Sequence, residues 1–134
     1  MEHVFIDTDV IIDFLGDRKP FSKHAAILFL KAQKGEVKLY TSSNSVTITY
    51  YILCKTLSEK TVRELIPKLL KYLEVIPVTE RILLQALSSN FKDFEDGVQH
   101  ACALTEKSIK HIITRNTKDY KNSLVKAINP EEFV

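Results

Sequence analysis

The stretch HVFIDTDVIIDFL, residues 3–15, decides the fold of this chain. Its first part, HVFI (3–6), is a short apolar run with β-branched and aromatic residues, which predicts a buried strand. The letters DVIIDFL that follow fit a short helix, with Thr8 or Asp9 as its N-cap. A strand that leads at once into a helix is typical of α/β folds.

The remainder of the chain repeats this alternation. A C-terminal edge strand is predicted from AINPEEF. Three further strands are predicted from apolar runs: EVKLYT (36–41), EVIPV (74–78) and HIIT (111–114). Helices are predicted between them from apolar spacing and capping residues: 22–35, 42–55, 58–73, 79–89 and 93–107. Strands that alternate with helices imply a parallel sheet covered on both faces. With 134 residues and no linker or repeat, we expect one domain, residues 1–134.

The composition excludes several classes of protein. Hydrophobic residues make up 45% and charged residues 27% of the chain, which is typical of a globular protein. No apolar run approaches the roughly 18–20 residues that span a bilayer, and the acidic N-terminus does not resemble a signal peptide. We therefore expect a cytoplasmic protein that does not associate with membranes. The net charge is only +2, without a basic block, so any contact with RNA must be local.

The cysteines and histidines do not follow a metal-binding pattern. Cys54 and Cys102 both lie in apolar stretches and are interpreted as buried, reduced thiols. The 4 histidines show no paired ligand spacing, so a zinc site is not expected.

Three carboxylates are predicted to lie at one edge of the sheet. Asp7 directly follows the first strand, Asp119 lies in the loop after strand HIIT, and Asp96 lies in the first turn of a helix. Sites in parallel α/β sheets form beyond the carboxyl ends of the strands, so the topology can bring the three together. Clustered carboxylates recruit a cation, and Mg²⁺ and Mn²⁺ both take oxygen ligands. Each acid also has an ordinary explanation, namely helix capping for Asp7 and Asp9, the first helical turn for Asp96, and a solvated loop for Asp119.

Four segments together resemble the PIN-domain family, especially the VapC-type toxins of bacterial toxin–antitoxin pairs: FIDTDVIIDFL (5–15), YTSSNSVTITYYIL (40–53), DFEDGVQHACAL (93–104) and IITRNTKDY (112–120). They follow the family's order over nearly the whole chain. The resemblance implies a three-layer α/β/α domain with a central parallel sheet in the order 3-2-1-4-5. It also implies a metal-dependent endoribonuclease, the toxin of a type II toxin–antitoxin pair.

The same resemblance assigns roles to individual residues. Asp7 matches the family's first acid, Asp96 its third and Asp119 its fourth, so these three are expected to be catalytic and to hold Mg²⁺ or Mn²⁺. Asn116 is a candidate carbonyl ligand or substrate contact beside the fourth acid. The basic residues around Asp119 are candidate contacts to the RNA backbone: Arg115, Lys118 and Lys121.

The second motif departs from the family. Where the family usually has a glutamate, in the helix after the second strand, this chain has VTITY (46–50), with Ile48 or Thr49 at the matching position. The absent carboxylate predicts weaker metal binding, one ion rather than two, or a domain that binds RNA without cutting it. Asp9 and Glu95 are the candidates to compensate.

The resemblance also predicts the partners. A small antitoxin is expected to cover the acidic pocket and so inhibit the protein. A homodimer is expected too, and several apolar side chains are candidates for its interface: Tyr50, Tyr51, Leu53, Ile66 and Leu70.

Two other functions remain as alternatives. A degenerate PIN domain would bind RNA or a protein without metal-dependent cleavage, and the missing glutamate favours this reading. The sequence Asp7-Thr8-Asp9-Val10 also resembles the nucleophile motif of haloacid-dehalogenase-type phosphatases, whose first Asp attacks a phosphoryl group. The usual glycine after the second Asp is absent, however, and the chain has no room for a cap domain.

Overall fold

A parallel sheet of five strands forms the centre of the structure, which is a computed structural model of residues 1–134. The strands are β1 (Glu2–Ile6), β2 (Val37–Ser42), β3 (Leu73–Ile76), β4 (Ile109–Ile113) and β5 (Lys126–Ile128). They lie in the order β3-β2-β1-β4-β5, and each neighbouring pair is parallel. The predicted order 3-2-1-4-5 and the predicted C-terminal edge strand are both confirmed.

Seven α-helices connect and cover the strands: α1 (Thr8–Leu15), α2 (Ser22–Gln33), α3 (Ser43–Leu53), α4 (Glu59–Leu70), α5 (Glu80–Leu87), α6 (Phe94–Leu104) and α7 (Pro130–Phe133). A short 3₁₀ turn, Thr117–Tyr120, follows β4. Four helices begin at a side chain that accepts a hydrogen bond from the N–H three residues later: Ser42, Ser58, Thr79 and Asp93. None of the helices has the length and apolarity needed to cross a bilayer.

The core lies in two layers, one on each face of the sheet. Successive side chains of a strand point to opposite faces. Val4 and Ile6 of β1 therefore pack with α1 and α2, where Leu28 is fully buried, while Phe5 packs on the other face against Val98 of α6. The sheet between two helical layers is the predicted α/β/α arrangement.

The start of α1 corrects one prediction. Its N-cap is Asp7, not Thr8 or Asp9, because Asp7 has extended backbone angles (φ −76°, ψ 160°) and its carboxylate accepts a hydrogen bond from the Thr8 N–H. Thr8 and Asp9 both lie inside the helix. Since β1 ends one residue before Asp7, this single residue joins the central strand to the helix.

Two other predictions about buried side chains need correction. Cys102 is buried as expected, and burial raises the pKa of its thiol to about 12, but Cys54 at the end of α3 is only half-buried. Leu53, a candidate for the homodimer interface, is 1% exposed and packs in the core with Ile12 and Val62. It is therefore not available for an interface.

Candidate active site

Asp7 lies at the C-terminal end of β1, the middle strand, and is only 5% exposed. Its Oδ1 atom accepts hydrogen bonds from the Thr8 N–H at 2.8 Å and from Nε2 of Gln99 at 3.1 Å. Its Oδ2 atom accepts from the Thr114 hydroxyl at 2.9 Å and from the Tyr120 hydroxyl at 3.1 Å. A buried carboxylate needs such partners, because burying an unpaired charge is costly. The four donors fix the position of this side chain.

Gln99 connects Asp7 to helix α3. Besides Asp7, its Nε2 atom donates to the Ser45 hydroxyl at 2.7 Å, and its Oε1 atom accepts from the Ser42 hydroxyl at 2.6 Å. The Ser45 hydroxyl also lies 2.8 Å from that of Thr8. Ser42, Ser45 and Gln99 are fully buried. Helix α3 and its N-cap therefore contribute hydroxyl groups, but no carboxylate, to the site.

The two positions considered for the missing glutamate differ in their surroundings. Thr49 lies one helical turn after Ser45 on the same face of α3, because residues four apart align on a helix. It is fully buried, and its hydroxyl has no hydrogen-bond partner. Ile48 is only partly buried. Thr49 is thus the position that faces the interior on the side of Ser45.

Asp96 and Asp119 line one open cleft of about 330 Å³. Phe91 and Asn122 line this cleft. Its other lining residues are three aspartates and three lysines: Asp93, Asp96, Asp119, Lys92, Lys118 and Lys121. Burial, and then the negative charge of Asp7, raises the pKa of Asp96 to about 7, with smaller contributions from other acids including Asp119. The cleft thus contains lysines, whose positive charge suits a phosphate backbone, beside acids that repel one another.

Tyr120 connects Asp7 with Asp96. Its hydroxyl lies 3.1 Å from Oδ2 of Asp7 and 3.5 Å from Oδ1 of Asp96. The side chain is 3% exposed and stands edge-on to Phe91. Burial, followed by the charge of Asp7, raises the pKa of the phenol above its usual value, so the hydroxyl keeps its proton and remains a donor.

Asp9 holds the loop that follows β4. One of its oxygens accepts from the Arg115 N–H at 3.1 Å and from the side-chain amide of Asn116 at 3.3 Å, while the other oxygen is buried without a partner. Burial, and then the charge of Asp7, raises the pKa of Asp9 to about 7. Asp9 therefore positions Asn116 and does not cap its own helix.

Arg115 is engaged inside the protein. Its Nε and Nη2 atoms lie 2.6 Å and 3.1 Å from the two oxygens of Asp13, a fully buried carboxylate. The guanidinium also lies 3.9 Å from the ring centre of Phe21, within the range of a cation–π contact. Of the three candidate RNA contacts, Lys118 and Lys121 line the cleft, whereas Arg115 is held by an internal ion pair.

Glu95 also belongs to this polar region, because it accepts a hydrogen bond from the Thr8 hydroxyl at 3.5 Å. Burial, and then the charge of Asp7, raises its pKa as well. Asp9, Glu95 and Asp96 thus share the two main causes of a raised pKa, namely burial first and the charge of Asp7 second. Such an oxygen-rich, acidic donor set suits Mg²⁺ or Mn²⁺.

The carboxylates do not form a closed ligand set in this arrangement. No three His, Cys, Asp or Glu side chains lie close enough together to share one ion. Asp7 and Asp96 both lie near the Tyr120 hydroxyl, and Asp96 and Asp119 both line the cleft. The assignment of Asp7, Asp96 and Asp119 as metal ligands stays a prediction.

Sequence reasoning did not identify several side chains that hold Asp7. Thr114 could have been identified from the sequence, because it directly follows strand β4 as Asp7 directly follows strand β1. In the structure Ile6 pairs with Ile113 in the parallel register, so the residues that follow them lie at the same edge of the sheet. Gln99 had a weaker signal, because it follows Asp96 by three residues and shares its helix face. Ser45 and Tyr120 carried no local signal.

Comparison with known proteins gives consistent matches. The family model for the PIN domain matches residues 3–118. The chain is 34% identical to Ribonuclease VapC1 of Aquifex aeolicus (strain VF5) over 139 residues, which cover 98% of this chain and 93% of that protein. Its fold is similar to that of FitAcB from Neisseria gonorrhoeae, with a TM-score of 0.69, 21% identity, and coverage of 96% of this chain and 98% of that chain. A toxin–antitoxin complex from Klebsiella pneumoniae is similar too, with a TM-score of 0.68, 21% identity, and coverage of 95% and 97%.

Proposed function

Because the chain belongs to the PIN-domain family, we propose that it is a metal-dependent endoribonuclease, the toxin of a type II toxin–antitoxin pair. One observation carries the proposal. Asp7 and Asp96 lie within 3.5 Å of one shared hydroxyl at the carboxyl edge of the sheet, beside a cleft lined by Asp119. That edge is where sites form in parallel α/β sheets. The cytoplasm is the proposed place of action.

The proposed ligands of Mg²⁺ or Mn²⁺ are Asp7, Asp96 and Asp119, with Asp9 and Glu95 nearby. A divalent ion held by these carboxylates would supply two effects, a lower pKa of a bound water and an offset to the charge on a scissile phosphate. After burial, the charge of Asp7 is the main cause of the raised pKa values of Asp9, Glu95 and Asp96. This supports the proposal, because an added positive charge would offset the repulsion that Asp7 exerts on the other acids.

The chain itself contributes position and charge. Thr8, Gln99 and Thr114 hold Asp7 in one orientation, and Asp9 holds Asn116 at the same edge of the sheet. The lysines of the cleft are proposed to bind RNA phosphates on either side of the acids: Lys92, Lys118 and Lys121. Local binding of this kind fits a chain whose net charge is only +2.

We further propose that the site binds a single ion tightly before RNA binds. Helix α3 presents Ser45 and Thr49 to the interior where the family usually has a carboxylate. Neutral hydroxyl groups offset less of a cation's charge than a carboxylate does. A second ion therefore has one acidic ligand fewer than in most family members.

The proposal also includes two protein partners. A small antitoxin is expected to cover the acidic cleft, and the Klebsiella pneumoniae relative of this fold is a toxin–antitoxin complex. A homodimer is expected too, and two of the predicted interface side chains, Tyr51 and Leu70, are 66% and 38% exposed. Helix α5 adds three leucines that are 38%, 58% and 68% exposed: Leu83, Leu84 and Leu87. Phe94 at the start of α6, which packs against α5, is also exposed. An apolar face of this kind suits a twofold interface.

A second function, RNA or protein binding without cleavage, is favoured by one observation. Asp7 has four hydrogen-bond donors around its two oxygens, so it is satisfied without an ion. A phosphatase that uses Asp7 as nucleophile is disfavoured by the same contacts and by membership of the PIN-domain family.

A cleavage assay separates these functions. A fluorescent single-stranded RNA is incubated with the wild-type chain, with Asp96→Asn and with Asp93→Ser, each with Mg²⁺ and with Mn²⁺. Asp96→Asn is expected to lose metal-dependent cleavage, because Asn keeps the shape but lacks the charge. Asp93→Ser removes a charge from the same cleft but keeps the N-cap of α6, and is expected to retain cleavage. Tight RNA binding by the wild type with no cleavage in either metal would establish the binding function instead.

A further inference from the structure

The hydrogen bonds of Asp7 leave no oxygen position free for an ion. A carboxylate offers about four acceptor positions on its two oxygens. Four donors fill them here: the Thr8 N–H, Gln99 Nε2, the Thr114 hydroxyl and the Tyr120 hydroxyl. An ion that binds Asp7 must therefore displace one of these donors.

Three of the four donors are anchored by other contacts. The Thr8 N–H belongs to the first turn of α1, and Gln99 is held at both ends of its amide by Ser42 and Ser45. Thr114 follows the end of β4, is fully buried, and its hydroxyl also accepts a hydrogen bond from the Asn116 N–H at 3.1 Å. None of these groups can leave Asp7 without disrupting a helix, a strand end or a buried network.

The fourth donor lies at the edge of the cleft. Tyr120 ends the short 3₁₀ turn Thr117–Tyr120, and two residues of that turn, Lys118 and Asp119, line the open cleft. Its hydroxyl makes no hydrogen bond other than those to Asp7 and Asp96. The same hydroxyl therefore lies close to two of the proposed metal ligands, Asp7 and Asp96.

We propose that Tyr120 is a positioning residue that sets the metal affinity of the site, because its hydroxyl competes with a divalent cation for Oδ2 of Asp7. The inference rests on the proposed function, since it concerns the same site. In the absence of metal the phenol holds Asp7 in place, and on binding of Mg²⁺ or Mn²⁺ the phenol gives up this hydrogen bond. A phenylalanine at this position would keep the ring and its packing on Phe91 but would not compete.

Isothermal titration calorimetry with Mn²⁺ on the full chain tests this. Tyr120→Phe is expected to bind Mn²⁺ about tenfold more tightly than the wild type, the effect of removing one competing hydrogen bond to a charged group. Tyr40→Phe is the matched control, because Tyr40 is equally buried, at 2% exposed, and its hydroxyl contacts His3 at 2.7 Å. The control is expected to bind Mn²⁺ like the wild type. Unchanged or weaker binding by Tyr120→Phe would overturn the inference.

A spectroscopic measurement on the wild type keeps the test valid if Tyr120→Phe does not fold. A phenol that loses a hydrogen bond to a carboxylate changes its near-ultraviolet absorption. Adding Mn²⁺ should therefore produce a tyrosine difference spectrum in the wild type and in Tyr40→Phe, but not in Tyr120→Phe. Mn²⁺ binding by the wild type without this spectrum contradicts the inference alone. No Mn²⁺ binding by any of the three proteins contradicts both the inference and the proposed metal site.

Discussion

The side-chain amide of Gln99 lies 3.1 Å from Oδ1 of Asp7, although 92 positions separate the two residues in the chain. This contact joins α6 to the end of β1 inside the protein. Through Ser42 and Ser45 the same amide joins α3 to both. One neutral side chain therefore links three elements around the central acid.

Replacing Gln99 with leucine should destabilise the fold strongly. Leucine would remove one of the four donors to Asp7 and one hydrogen-bond partner from each of Ser42 and Ser45, and a lost buried partner costs roughly 1–3 kcal/mol. We expect the free energy of unfolding to fall by about 3 kcal/mol in urea titrations. Gln85→Leu, at an exposed position on α5, should change it by less than about 0.5 kcal/mol. Equal effects of the two substitutions would show that the Gln99 network does not stabilise the fold.

The ion pair between Asp13 and Arg115 should also be stabilising. Asp13→Asn leaves a partly buried guanidinium without its charged partner, and breaking a buried pair on one side costs about 3–5 kcal/mol. Since Arg115 keeps some exposure, we expect the lower end of that range in urea unfolding. Glu74→Gln, which breaks the exposed pair with Lys38, is the comparison and should cost less than about 1 kcal/mol. A loss for Asp13→Asn no larger than for Glu74→Gln would contradict this prediction.

Restoring a carboxylate on α3 should strengthen metal binding. Thr49→Glu places an acid one turn after Ser45 on the interior face, so we expect Mn²⁺ to bind more tightly in calorimetry. Thr47→Glu is the control, because Thr47 is exposed on another side of the same helix. Without metal, Thr49→Glu should be less stable than Thr49→Val, which removes a buried hydroxyl that has no partner. If Thr49→Glu folds and binds Mn²⁺ no better than Thr47→Glu, the absent glutamate does not limit the site.

The metal-free protein should gain stability from Asp96 as the pH falls. Burial and the charge of Asp7 raise the pKa of Asp96 from 3.8 to about 7, so the folded state takes up a proton more readily than the unfolded chain. The charged form therefore weakens the fold above about pH 7, and this loss is relieved as the pH falls through that value.

Thermal melts in the presence of a chelator check this. Between about pH 8 and pH 5, the melting temperature of the wild type should rise relative to that of Asp96→Asn. Burial lowers the pKa of His100, which acts in the opposite direction, but both proteins contain His100, so its effect cancels in the comparison. Parallel pH profiles for the two proteins would show that Asp96 does not titrate in this range.

The sequence by itself determined how strands and helices follow one another along the chain, and at which edge of the sheet the acids lie. Apolar runs, helical spacing and caps such as Thr79 and Asp93 act over a few residues, so they can be identified without the fold. Asp7 was identified because it directly follows a strand. The order of the strands within the sheet came from the resemblance to the PIN-domain family, whereas the rule for parallel α/β sheets already predicted that Asp7 and Asp96 lie at one edge.

Only the tertiary structure decided which side chains surround Asp7. Gln99 and Tyr120 lie 92 and 113 positions away from it, and neither residue by itself indicates which acid it will contact. Likewise, Arg115 pairs with Asp13, 102 positions away, and no local pattern in the sequence indicated that pair. These contacts depend on how the helices pack over the sheet, because a hydrogen bond forms only when packing brings donor and acceptor within about 3 Å of each other.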